Sequence, residues 1–183
     1  MQDSHTIVID GYNLILRSPA FRPDDRRDLA MAREKLVNLL SWSIGGGKVK
    51  FVVIFDGNET GFGSRRNSRS GVVTVRFSKP PAKADDLIRE LVEELHENET
   101  ETTVVTSDLE VARHARTFDA KIVLSDLFAA SLFPERVKEQ MQRLQVKERD
   151  DGGADKPLGF SKKELEEWAR LFSENPEEDS ADS

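Results

Sequence analysis

The chain has 183 residues, a net charge of −7 and no cysteine. Its length fits one ordinary domain with a short appendage, and the lack of cysteine excludes disulfides, zinc ribbons and thiol catalysis. No apolar stretch approaches the roughly 18 residues of a membrane span and no apolar signal segment opens the chain, so we expect a cytoplasmic protein without a membrane partner.

Short apolar runs that end in aspartate recur along the chain. The first run, TIVID, ends at Asp10 and is followed at once by Gly-Tyr-Asn, and later runs end at Asp56, Asp108 and Asp126. Each run is rich in Val, Ile or Phe and is bounded by Gly, Asn, Asp or Ser, which is typical of a strand buried on both faces. The pattern therefore predicts buried strands that each end in a carboxylate.

Segments with helical spacing separate these runs. RRDLAMAREKLVNLLSWSI and ADDLIRELVEELHEN each carry an apolar stripe. Alternation of strand and helix predicts an α/β fold with a mostly parallel sheet. Because the carboxyl ends of parallel strands share one edge, we expect the aspartates to surround one concavity. Any one of them could be a helix cap, but several together repel one another unless a cation lies among them.

The middle of the chain carries a basic window. No acid occurs from Thr60 to Ala84, and the glycine-spaced stretch GFGSRRNSRSG predicts a flexible loop at its head. A basic loop beside an acidic edge suits a protein that grips phosphates with one element and attacks them at another, although a solvated surface loop remains an alternative. The predicted RNA-binding residues are Arg65, Arg66, Arg69, Lys79 and Lys83.

The stretch AKADDLI adds two further carboxylates at the start of a predicted helix. Acids in a first turn are stabilised by the helix dipole and by free backbone N–H groups, so capping explains one of them. Asp85 and Asp86 together exceed what a cap requires.

Four stretches, IVIDGYNLI, VVIFDGN, AKADDLI and TVVTSDLEVARHARTFDAKIVLSDLF, together resemble an NYN domain of the YacP-like group, a branch of the PIN-like nucleases. The resemblance covers roughly residues 5 to 133. It implies a PIN-like three-layer α/β fold, with a small, mostly parallel sheet between helices, and a metal-dependent endoribonuclease that acts on single-stranded RNA.

The resemblance also implies roles for individual residues. The implied catalytic residues are Asp10, Asn13, Asp85, Asp86 and Asp108, where Asn13 orients the site. The implied metal ligands are Asp10, Asp85, Asp86, Asp108 and Asp126. Oxygen-only ligands suit Mg²⁺ or Mn²⁺. Asp56 lies at the same predicted edge, where it serves either the metal or the neighbouring loop.

Other aspartate-based sheet enzymes fit less well. A haloacid-dehalogenase phosphatase needs an acid two residues after the nucleophile, where this chain has Tyr12. The main alternative function is a non-catalytic RNA-binding module or scaffold that keeps the PIN-like fold. Tyr12 itself is either a base-stacking residue at the mouth of the site or a packing residue.

The C-terminal part has its own organisation. We predict a nuclease domain over residues 1–149, a linker over 150–160, an amphipathic helix over 161–173 and a disordered acidic tail over 174–183. The helix places Leu165, Trp168, Leu171 and Phe172 on one stripe. A helix this short is marginal alone, so it docks either on its own domain or on a protein partner.

Overall fold

Strands and helices alternate in the computed structural model, which describes residues 5–18, 21, 28–42, 49–57, 65–67 and 72–132. In chain order the elements are β1 His5–Asp10, α1 Gly11–Arg17, α2 Leu29–Trp42, β2 Val49–Phe55, β3 Arg65–Asn67, β4 Val72–Phe77, α3 Ala84–Glu97, β5 Thr102–Val105, α4 Leu109–Arg116, β6 Lys121–Val123 and α5 Ser125–Leu132. The predicted linker, amphipathic helix and acidic tail lie outside the described residues, as does Arg69.

The sheet has the strand order β3-β4-β2-β1-β5-β6. Strands β1, β2, β4, β5 and β6 pair in parallel, and only β3 pairs antiparallel, with β4. The central strands are apolar on both faces because helices cover both: every residue of β2 from Phe51 to Phe55 is buried. The predicted α/β fold with a mostly parallel sheet is confirmed.

Two apolar cores lie on opposite faces of the sheet. On one face, Ile88 and Leu91 of α3 and Val111 of α4 belong to a core with the sheet residues Val8 and Val104. On the other face, the core contains residues of α1, α2 and α5, among them Leu14, Leu36 and Ala129. Each helix therefore buries one face against the sheet, which gives the three layers of the predicted PIN-like architecture.

The strand order reverses next to β1. The chain passes from β1 to β2 and β4 on one side, and then returns to place β5 and β6 on the other side of β1. Open parallel sheets bind ligands in the crevice at the carboxyl end of the strands where the order reverses. In this sheet that position lies between the ends of β1 and β5, which are followed by predicted site residues.

The predicted flexible loop at Arg65 and Arg66 was wrong for these two residues. Their backbones form the edge strand β3, which pairs with Thr74 and Val73 of β4. Backbone pairing with a neighbouring strand needs no apolar alternation in the sequence. Within the described ranges, no helix is long and apolar enough to cross a membrane.

Candidate active site

Asp10 ends the central strand β1 and begins the first helix. It is the N-cap of α1, and its Oδ1 accepts a hydrogen bond from the backbone N–H of Asn13 at 3.2 Å. Its side chain is buried, with 6% of the residue exposed. Gly11 allows this tight passage from strand to helix, since a Cβ there would lie 2.2 Å from a ring carbon of Phe55.

The Asp10 carboxyl is electrostatically strained. Its pKa is raised from the ordinary 3.8 to about 7: burial is the largest cause and the charges of Asp85, Asp108 and Asp56 add to it, whereas the hydrogen bond from Asn13 lowers the pKa. Desolvation and like charges both disfavour the ionised form of a carboxyl. The structure therefore brings Asp10 within electrostatic reach of three other acids from distant parts of the chain.

Asp108 lies across the reversal point from Asp10, after β5. It is the N-cap of α4, and its Oδ1 accepts from the backbone N–H groups of Glu110, at 2.8 Å, and Val111, at 3.1 Å. The hydroxyl of Thr106 accepts in turn from the N–H of Asp108 at 3.0 Å. These bonds hold both Asp10 and Asp108 by Oδ1, at the N-terminal ends of two helices that point toward the same edge.

The adjacent acids at the start of α3 have different surroundings. Asp86 is exposed, and its Oδ2 accepts from the backbone N–H of Lys83 at 2.9 Å, so it caps the helix. Asp85 is partly buried, and burial raises its pKa, as do the charges of Asp108, Asp56 and Asp86, while Arg89 lowers it. Of the two neighbours, Asp85 is thus the one whose charge is coupled to Asp10 and Asp108.

Asp56, after β2, holds the connection between β4 and α3. Its Oδ1 accepts from the Ser78 hydroxyl at 3.0 Å and from the backbone N–H of Ala84 at 2.6 Å. It therefore anchors the first turn of α3, beside Asp85. Its contacts serve this connection, while its charge acts on both Asp10 and Asp85.

Asn13 joins three separate segments behind the carboxylates. Its Oδ1 accepts from the backbone N–H of Ser107 at 2.8 Å and from the Ser125 hydroxyl at 2.8 Å. The Ser107 hydroxyl also accepts from the N–H of Ser125 at 3.2 Å. The network fixes the starts of α1 and α5 against the segment that leads from β5 to Asp108.

Asp126 lies in the first turn of α5, next to Ser125. It is buried, and within the described part of the chain its Oδ1 accepts no hydrogen bond. Burial raises its pKa, whereas the backbone N–H groups of Asp126 and Leu127 and the charge of Arg17 lower it. The other predicted ligands are not among the causes of that shift, so Asp126 is less closely coupled to the group than Asp85 or Asp108.

The donor chemistry of this edge fits a hard divalent cation. The converging groups are carboxylates, and a cation among them would offset the repulsion that raises the pKa of Asp10 and Asp85. The unbonded, buried oxygen of Asp126 is a further oxygen donor. As placed, no three Asp, Glu, His or Cys side chains in the described ranges are grouped closely enough to hold a metal ion.

Two predicted RNA-binding lysines border the acids. Lys79 and Lys83 are exposed and lie in the connection from β4 to α3, directly before Asp85. Arg65 and Arg66 belong to the edge strand β3, which is separated from β1 by β4 and β2, and Arg69 lies outside the described residues. The lysines therefore share the carboxyl edge with the acids.

From the sequence, Ser107 and Ser125 are either hydrogen-bond partners of the aspartates that follow them or ordinary strand-end residues. Both precede an aspartate in the chain, in the repeated Ser-Asp pairs of TSD and LSD. The repeated Ser-Asp pair is the signal in the sequence that could have drawn attention to these serines. The bond between Asn13 and Ser125, however, joins residues that are 112 positions apart. It follows from the sheet order and not from local sequence.

Two comparisons relate the chain to known proteins. A family model described as the YacP-like NYN domain matches residues 7–173. Among solved structures, the chain is similar to two crystal structures of Rae1 (YacP) from Bacillus subtilis, one of them of a mutant. The mutant structure has a TM-score of 0.55 at 23% identity, over 88% of this chain and 91% of that one.

The other Rae1 structure has a TM-score of 0.54 at 23% identity, over 90% of this chain and 94% of that one. At this identity the likeness shows a common fold. No curated protein sequence matched the chain.

Proposed function

Because the chain belongs to the family of YacP-like NYN domains, a PIN-like nuclease family, we propose that it is a divalent-metal-dependent endoribonuclease acting on single-stranded RNA in the cytoplasm. One observation carries the proposal: carboxylates from three distant segments meet at the carboxyl edge of the sheet, where the charges of Asp85 and Asp108 raise the pKa of Asp10, and that of Asp108 also raises the pKa of Asp85. This arrangement does not stabilise the fold, because each carboxylate disfavours the ionised form of its neighbours, and such groups are typical of functional sites.

PIN-like nucleases generally use divalent metals, and Mg²⁺ or Mn²⁺ suits the oxygen donors of this edge. Asp10, Asp85 and Asp108 would hold the ion, with Asp86 and Asp126 as further candidate ligands. A bound ion of this kind supplies a nucleophilic water at neutral pH and shields the charge of the scissile phosphate.

The chain's own groups prepare the site in this proposal. Asn13 fixes the segments that carry Asp10 and Asp108, since it bonds with Ser107 and Ser125. Asp56 sets the position of Asp85 through the N–H of Ala84. Lys79 and Lys83, together with Arg65, Arg66 and Arg69, would contact the phosphates of the RNA chain.

A second candidate is a non-catalytic RNA-binding module with the same fold. The observation that favours it is the spacing of the acids, since no ready-made group of three ligands exists among the described residues. The two candidates differ in whether RNA is cut when a divalent ion is supplied.

Cleavage of a labelled single-stranded RNA oligonucleotide in manganese separates the candidates. We expect the wild type to cut internally and Asp10→Asn to lose activity by at least about a hundredfold, because a charged group that acts on the reacting phosphate is removed. Asp28→Asn is the matched control, since Asp28 also accepts from a helix N-terminal N–H, that of Met31, outside the acid group. Binding without any cutting by the wild type would identify the second candidate.

A further inference from the structure

Aromatic side chains line the carboxyl edge beside the acids. Tyr12 follows β1, while Phe55 and Phe77 are the last residues of β2 and β4, which are consecutive strands of the sheet. The ring centroids of Tyr12 and Phe55 lie 5.0 Å apart, and those of Phe55 and Phe77 lie 5.7 Å apart. The three rings form a continuous row, here called the aromatic row, along one side of the candidate active site.

Arg33 of α2 reaches over this row. Its guanidinium carbon lies 6.0 Å from the ring centres of Tyr12 and Phe55 and 5.7 Å from that of Phe77. Its Nη1 also donates a hydrogen bond to the Tyr12 hydroxyl. A helix on one face of the sheet thus delivers a positive charge to the ends of three neighbouring strands.

The aromatic row holds the Arg33 guanidinium beside the group of acids. Tyr12 is two residues beyond Asp10, and Phe55 directly precedes Asp56, so the aromatic row begins where the group of acids begins. Arg89, whose charge lowers the pKa of Asp85, comes from α3 on the opposite face of the sheet. Arginines from both layers of helices therefore flank the strand ends.

The chemistry of the contact suits a phosphodiester. Aromatic faces attract the face of a guanidinium, whereas its N–H donors bond in the plane of the group. A guanidinium held in this way is already oriented, so less side-chain entropy is lost when it binds an anion. Charge-assisted bonds from arginine to phosphate are also stronger than bonds between neutral groups.

We propose that Arg33, supported by the aromatic row, binds a phosphate of the RNA chain beside the carboxylates, on their β2 and β4 side. This inference rests on the proposed function in one respect, which is that RNA is the ligand. It gives Arg33 a role in positioning the substrate, with the nucleotide chain running across the strand ends toward Asp10. A purely structural Arg33 would only fasten α2 to the sheet.

RNA binding measured without cleavage tests the inference. Asp10→Asn serves as the parent protein, in EDTA, with a fluorescent single-stranded oligonucleotide titrated at several salt concentrations. Arg33→Met keeps the aliphatic stem and removes the charge. We expect the dissociation constant to rise about tenfold at low salt. The negative slope of log affinity against log salt should become shallower by about 0.7, the value for one phosphate contact on a single strand.

Lys50→Ala is the matched control, because Lys50 is an exposed cation near the start of β2, at the opposite end of that strand from Phe55. It should leave the salt slope of the parent unchanged. An Arg33→Met protein that binds with the parent's affinity and slope would overturn the inference. If Arg33→Met is unfolded at the assay temperature, Arg33→Lys decides: a retained slope with severalfold weaker binding supports the inference, and unchanged binding contradicts it.

The same data keep the two proposals apart. A parent that binds RNA with the predicted dependence on Arg33, together with a wild type that never cuts, would leave this inference standing and remove the enzyme. If the wild type cuts RNA and the Arg33 variants bind RNA as the parent does, the enzyme proposal stands and the inference about Arg33 is removed.

Discussion

Asp10 combines two roles whose energies oppose each other. Its carboxylate caps α1, which stabilises the helix, but the same group is buried and surrounded by the charges of Asp85, Asp108 and Asp56. The sequence predicted a functional acid at this position from the repeated strand endings. It also allowed a helix cap for each such acid, but it could not show that Asp10 is both at once, because that depends on the backbone geometry of the turn.

The raised pKa of Asp10 predicts how stability depends on pH in the metal-free protein. The folded state binds the proton more tightly than the unfolded state, so stability should be highest below about pH 3.8 as far as this group is concerned, and fall as the pH rises to about 7. The rise from 3.8 to about 7 corresponds to at most about 4 kcal/mol.

Asp10→Asn should flatten this dependence, because asparagine keeps the cap and has no charge to bury. At pH 7 and in EDTA, the variant should be as stable as the wild type or more stable. Urea unfolding from pH 4 to pH 8 measures both effects, with Asp28→Asn as the control that leaves the slope unchanged. A clear loss of stability at pH 7 in Asp10→Asn would mark Asp10 as a structural residue.

At the scale of elements, apolar periodicity was sufficient for most strands and helices. The parallel strands could be recognised because both of their faces are buried, and α3 because one face packs on the sheet. Strand β3 has no such pattern: it consists of Arg65, Arg66 and Asn67, and pairing with β4 determines its structure. The two acids of α3 looked alike in the sequence and differ only in what each one faces.

The side chain of Asn13 holds three separate segments of the chain together through its hydrogen bonds. Asn13→Ala should lower the free energy of unfolding by about 2–4 kcal/mol, since the buried Ser107 N–H and the buried Ser125 hydroxyl both lose their acceptor. Chemical denaturation measures the loss. Glu34→Ala on the exposed side of α2 is the control and should change stability by less than about 0.5 kcal/mol.

Asn13→Asp separates orientation from charge, because it keeps an oxygen acceptor and adds a carboxylate next to Asp10. We expect it to retain more stability than Asn13→Ala at pH 5 and to lose that advantage toward pH 8, as the acids ionise. Equal stability of Asn13→Ala and the wild type would show that the network contributes little to the fold.

At the scale of the whole molecule, the charges are unevenly divided. The net charge of −7 hides a basic window in the sequence from Thr60 to Ala84, and two of its described residues, Lys79 and Lys83, adjoin the acidic edge. The sequence shows both a basic window and a set of strand-end acids. The sheet order is what places Lys79 and Lys83 beside those acids. The bonds that join Asn13, Ser107 and Ser125, and the approach of Arg33 to the aromatic row, required the three-dimensional fold.

The predicted C-terminal helix, residues 161–173, raises the question of what its apolar stripe packs against. The YacP-like NYN family model extends to residue 173 and so includes the predicted amphipathic helix, which lies outside the described residues. We expect that helix to dock on its own domain, because its stripe of Leu165, Trp168, Leu171 and Phe172 gains from burial.

Truncation after Gly153 tests this expectation. A chain that loses the helix should melt several degrees lower than the full chain, whereas truncation after Glu174 should have little effect. Melting temperature and cleavage of a free oligonucleotide are measured together. Unchanged values of both after Gly153 would instead assign the helix to a protein partner.

The central claim is that the carboxylates at the strand ends form a divalent-metal site, and a manganese soak of crystals of the full chain tests it most directly. Anomalous difference density should show a manganese ion coordinated by Asp10 and at least one of Asp85 and Asp108, near the end of β1. The same soak of Asp10→Asn crystals should show a weaker peak or none. Wild-type crystals without anomalous density at this edge, under conditions in which the protein cuts RNA, would contradict the account.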